Sequence, residues 1–211
     1  MNWLAEIDNY CERLSPDFWA EPLNALTNLA FIIAGILMWR RVNDLSCRLL
    51  CGLLIAIGVG SFLFHTFATR WAALADVVPI GLFIIAYLYL VNRKIAQFKI
   101  FKSGALACLF VPNAALVATG LSYVPFFNIS ALYWTVPPIL LAYAVSYRVL
   151  PFAYVALLLS ASIAIRSVDL SLCQAVPIGT HFVWHILNAG VLAYLISVYA
   201  RHGLAAQDRQ E

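Results

Sequence analysis

The chain has 211 residues, 64% of them hydrophobic and 11% charged, with a mean hydropathy of +0.87; an ordinary soluble domain runs at about 45–50% and 25%. That balance excludes a soluble globular domain and makes the bilayer the main solvent. A formal net charge of +3 with no basic cluster excludes a nucleic-acid-binding surface.

In chain order, the acidic stretch MNWLAEIDNYCERLSPDFWAEP comes first. It lacks the basic start and apolar core of a cleavable signal. Spanning helices take about 20 mostly apolar residues each, and seven windows meet that length: roughly 23–39, 49–67, 72–91, 100–121, 127–146, 149–165 and 180–199. Only SYRVLP separates the fifth from the sixth. Pro79 is expected to kink the third span, and Pro137 with Pro138 the fifth, neighbouring helices satisfying the freed backbone groups. Gly52, Gly58 and Gly60 in the second span suit close helix contact rather than phosphate binding. The expected architecture is all-α: one seven-helix membrane bundle over 1–211, with an acidic leader (1–22) and a C-terminal tail (200–211).

Seven spans put the termini on opposite faces. Arg13, Arg70 and Arg166 are the basic residues of the N-terminal face. The other face carries Arg40, Arg41, Arg48, Arg93, Lys94, Lys99, Lys102, Arg148, Arg201 and Arg209. Basic loops stay cytoplasmic, so the leader faces the periplasm, exterior or lumen and the tail the cytoplasm.

The polar residues inside the spans then collect at the non-cytoplasmic ends. Glu21, Asn24 and Asn28 stripe the start of span one; Ser61 and His65 end span two; Asp76 opens span three. Arg166 and Asp169 end span six, and His181 and His185 open span seven. Residues i and i+4 stack on one helical face, so His181 and His185 can grip one cation and Ser61 shares a face with His65. Three imidazoles from two helices make a tripod with an open fourth position, the arrangement of catalytic zinc. Asp76 can accept a proton from the metal's water. Each piece also has a plain structural reading: interfacial polarity for the histidines, and for Asp76 a helix cap or a pair with Arg70. Gathered on one face, they point to metal chemistry.

IDNYCERLSPDFWAEPLNALTNLAFII, SFLFHTF, ADVVPI and RSVDLSLC followed by THFVWH resemble the alkaline ceramidases and their bacterial relatives. These belong to a wider superfamily of seven-span hydrolases that includes the adiponectin-receptor type. The resemblance is specific in those blocks and weak in spans four and five. It implies a zinc-dependent intramembrane amidase of the bacterial inner membrane, hydrolysing ceramide-like sphingolipids to a sphingoid base and a fatty acid. The family's zinc ligands match His65, His181 and His185, its serine Ser61 and its aspartate Asp76. In that scheme a zinc-activated water attacks the amide carbonyl, and Asp76 passes the water's proton to the leaving amine. Ser61 supports the oxyanion, with Tyr133 the nearest counterpart of a tyrosine given a similar role.

The resemblance also implies calcium beside the leader, for which Asp8, Glu12 and Glu21 with the Tyr10 carbonyl offer a partial oxygen set. The family pattern Asp-Trp-Cys-Glu-x-Asn is altered here: an extra residue follows Asp8, and Leu14 replaces the asparagine. Relatives carry a disulfide at positions matching Cys11 and Cys173, leaving Cys47, Cys51 and Cys108 as free thiols.

Three other functions use the same residues. A lipid esterase or phospholipase needs the same activated water, and a lipid receptor with a structural metal needs a fourth ligand, for which Asp76 is available. Bis-histidine haem needs His65 opposed to His181 or His185. The expected partners are a membrane lipid substrate and the bilayer; nothing specifies an oligomeric state.

Overall fold

Polar and proline residues decide where each apolar window starts and stops as a helix. The computed structural model describes residues 2–207, with side chains as far as His202. Helix α1 (Pro22–Thr27) opens on proline, whose missing N–H costs nothing in a first turn. Its Leu23 and Asn24 N–H groups donate to the Glu12 carboxylate at 2.7 and 2.8 Å, so the leader caps it. After Asn28, α2 (Leu29–Trp39) continues the span. Asp44 opens α3 (Leu45–Phe67) by accepting from the Cys47 N–H at 3.0 Å. Helix α4 (Arg70–Lys94) carries Pro79 within it. The fourth window divides into α5 (Ile100–Cys108) and α6 (Phe110–Leu121); Pro112 cannot donate to the Cys108 carbonyl four residues back.

The fifth window departs from expectation. It holds α7 (Pro125–Asn128), a 3-10 turn (Tyr133–Thr135) and the 12-residue α8 (Val136–Tyr147). Pro137 and Pro138 lie in the first turn of α8, where proline starts a helix rather than kinking one. At 1.5 Å per residue α8 is about 18 Å long, against about 30 Å of hydrocarbon. Helix α9 (Leu150–Ser167), a 3-10 turn (Leu170–Leu172) and α10 (His181–Gln207) complete the chain. Among the described residues six helices are long and apolar enough to cross a membrane, α1 counting with α2 and α5 with α6. The tail expected from residue 200 begins as a continuation of α10; 208–211 lie outside the described residues.

Phe31, Leu54, Ile57, Phe83, Phe152, Ile163 and Ile196 fill the core between α2, α3, α4, α9 and α10, while Ile33, Leu37, Leu74, Leu82 and Leu157 stay exposed, as lipid-facing residues do. Small residues set the close crossings. A Cβ on Gly58 would lie 2.9 Å from the Asn28 carbonyl oxygen, and one on Gly60 would lie 1.9 Å from that of Ala75. Gly52 meets nothing within 4 Å, so the close contact expected there is not made. Helices α3 and α10 run antiparallel: His65 meets His181 at one end, and Ser46 meets Tyr199 at the other.

Candidate metal centre and active site

His65 comes from the last turns of α3, and His181 and His185 from the first two turns of α10. All three are buried, at 0%, 3% and 1% exposure. Ring centroids lie 5.1 Å apart for His65–His181, 4.8 Å for His65–His185 and 4.5 Å for His181–His185. One ring nitrogen of each lies within 4.8 Å of the other two, and no other cluster among the described residues offers such a set.

Hydrogen bonds behind the rings fix which nitrogens are free. The Nδ1 of His65 is 2.6 Å from Glu21 Oε2, so the ring donates there and its buried, unpartnered Nε2 keeps the lone pair. Thr27 Oγ1 lies 2.8 and 3.1 Å from the Leu23 and Asn24 carbonyls and spends its single proton there. Its contact with His185 Nδ1 at 2.9 Å must therefore be one in which the ring donates, leaving Nε2 of His185 likewise unpartnered. Metal-binding histidines are held in this way, one nitrogen anchored and the other free. His181 Nδ1 also lacks a partner.

Asp169 sets the position of α10. One carboxylate oxygen accepts the N–H groups of Thr180 and His181, the latter at 2.9 Å, and the other accepts the Cys11 N–H at 3.1 Å. Gly179, at φ +66°, allows this; a Cβ there would lie 2.2 Å from the same oxygen. A Cys11–Cys173 disulfide, with Cα atoms 5.1 Å apart, ties the leader to this corner. Cys47, Cys51 and Cys108 are free.

A pocket below the rings is walled by Ser61, Asp76, Tyr133, Arg166, His181 and His185. Asp76 lies in the second turn of α4, past the Thr69 cap and away from any capping role. The Gly60–Ala75 contact brings it within hydrogen-bonding reach of Ser61. Ile80, Tyr133, Trp184 and Asn188 are shared with a second, apolar chamber that continues between α4, α6, α8 and α10, past Phe83, Tyr87 and Leu140. A polar pocket thus lies directly beside an apolar one.

A family model described as Ceramidase matches residues 5–167. The chain belongs to the ceramidase family. The match covers most of the leader, Ser61, His65 and Asp76 and stops before α10; the fold brings His181 and His185 beside His65. A search of the curated proteins returned no match.

The leader of this ceramidase-family chain is built differently from a calcium site. Asp8 is exposed, and both oxygens of Glu12 are taken by the α1 N–H groups. Glu21, 2% exposed, is bonded by Arg13, His65 and Asn24. The Tyr10 carbonyl accepts the Arg13 N–H at 3.3 Å. These residues do not fit calcium: the oxygens of Glu12 and Glu21 are spent, and a guanidinium bonds Glu21. The Tyr10 ring instead stacks on His181 at 3.9 Å between centroids and lies 5.0 Å from the His65 ring.

Sequence reasoning missed Thr27, the anchor of His185, and it treated Arg13 as loop charge. Arg166 was placed on this face without a role. Its guanidinium donates to the Ile129 carbonyl and Ser130 Oγ, both at 2.8 Å, and to the Tyr10 hydroxyl at 3.3 Å. It lies 5.4 and 5.9 Å from the Tyr133 and Trp184 ring centroids, adding fixed positive charge to the pocket.

Proposed function

We propose that this chain is a zinc-dependent intramembrane amidase that cleaves ceramide-like sphingolipids into a sphingoid base and a fatty acid. The observation that carries this reading is the trio of imidazoles with unpartnered nitrogens above a pocket holding Asp76. All-nitrogen donation from three histidines, two of them anchored from behind by Glu21 and Thr27, fits zinc. A zinc ion held by them supplies a Lewis acid for a carbonyl oxygen and a water acidified to a pKa of about 7.

The remaining steps belong to the chain's own residues. Asp76 accepts the proton of the attacking water and returns it to the amide nitrogen as the C–N bond breaks. Ser61, beside Asp76, donates to the carbonyl oxygen as it gains charge, with Tyr133 lining the same pocket. Trp184, Ile80 and Asn188 sit where the pocket meets the apolar chamber, which takes an acyl or sphingoid chain and excludes water from the reaction. The end of the bundle opposite the histidines carries the basic residues and faces the cytoplasm, so the reaction occurs at the non-cytoplasmic side.

Purified protein incubated with defined ceramides and with matched esters, with and without a zinc chelator, tests the reading. Chelator-sensitive release of fatty acid from the ceramides is expected. Release from the esters alone would reassign the protein to the lipid esterases.

A further inference from the structure

We propose that Arg13 is a positioning residue for the metal centre and fills, as a cation built into the chain, an oxygen-lined cage beside the leader that shares Glu21 with the calcium set the resemblance implies. Arg13 is only 6% exposed, and its guanidinium is enclosed by oxygen. Nε donates to Glu21 Oε1. Nη1 faces the Ser15 and Asp17 carbonyls at 3.1 and 3.4 Å, and Nη2 the His65 carbonyl at 3.1 Å. One carboxylate and three carbonyls form part of the hard-oxygen set that calcium takes; a planar guanidinium meets all four with N–H donors of fixed direction.

This cation acts on the metal through Glu21. Glu21 uses one oxygen for Arg13 and the other for Nδ1 of His65, so the chain of contacts runs from Arg13 to Glu21 to His65. Arg13 holds one oxygen of the Glu21 carboxylate and so keeps the other aimed at the ring. The same guanidinium holds the His65 carbonyl, in the last turn of α3, where free carbonyls concentrate negative charge. Arg13 therefore secures His65 twice, through its ring and through its backbone. Charge, carboxylate and ligand all belong to one chain, so the metal centre is organised without calcium.

The proposal rests on the reading that the trio holds zinc, but not on the substrate. In detergent-purified holoprotein, zinc affinity by chelator competition and the thermal midpoint are measured in calcium-free buffer and with millimolar calcium. Neither quantity should move in the wild type. Arg13→Gln should bind zinc about 10–100-fold more weakly, the usual cost of losing support behind a ligand. Millimolar calcium or guanidinium, entering the vacated oxygen cage, should recover most of that loss. The proposal is overturned by a wild type that calcium tightens or stabilises, by wild-type zinc affinity in Arg13→Gln, or by loss of affinity that neither cation restores. The wild-type arm decides even if the variant does not accumulate. All readouts are made without lipid, so failed ceramide turnover and failure of this proposal are separate results.

Discussion

His65 and His185 are gripped from behind by side chains, Glu21 and Thr27, whereas Asp76 and Ser61 across the same pocket are brought together by backbone, through the contact of Gly60 with Ala75. The difference suits the two tasks proposed for them. A metal ligand must present one particular nitrogen, so its other nitrogen has to be engaged. A proton carrier must change partners during the reaction, so its site is set by helix position while its oxygens stay available. The first half should fail through metal affinity, and the second through turnover at full metal content.

Variants that break one half and spare the other test that division. The largest effect is expected from His181→Ala, which removes a ligand: zinc by metal analysis and fatty-acid release should both fall to background. Asp76→Asn should keep stoichiometric zinc while turnover falls about 10²–10⁴-fold, the usual worth of a general base; unchanged turnover would remove Asp76 from the reaction. Gly60→Ala pushes α4 away and displaces Asp76, and about a hundredfold loss of turnover is expected from a shift of about 1 Å, with zinc retained. Thr27→Val keeps shape but removes the hydroxyl behind His185, and zinc affinity should weaken about 10–100-fold with little change in turnover at saturating metal.

Much of this division can be read in the sequence, for reasons that lie in periodicity. The pair His181–His185 and the pair Ser61–His65 each fall at i, i+4, and an up-and-down bundle brings the ends of those spans to one face. Asp76 follows His65 by one short turn and must lie nearby. What periodicity does not carry is rotation and reach. Thr27 meets His185 only because α1 is turned by the Glu12 cap and broken from α2 at Asn28. Arg13 reads as a charge in a polar leader until the leader folds back over α3, where Ile7 N–H reaches the Ala68 carbonyl at 2.7 Å and Arg13 the His65 carbonyl. Hydropathy also overran in the fifth window, because a run of apolar residues says nothing of the turns that Asn128, Ser130 and the paired prolines impose. The calcium ligand set is implied by the resemblance alone, and the hydrogen bonds here engage Glu21 with a guanidinium and Glu12 with a helix start.

The account turns on three imidazoles sharing one metal ion with a coordination position left for water. X-ray absorption at the zinc edge, recorded on the wild type and on Asp76→Asn, measures this directly. The expected spectrum in both has three imidazole nitrogens at about 2.0–2.1 Å and one further light donor. A sulfur ligand, fewer than three imidazoles, or a donor lost with the Asp76 carboxylate would contradict it.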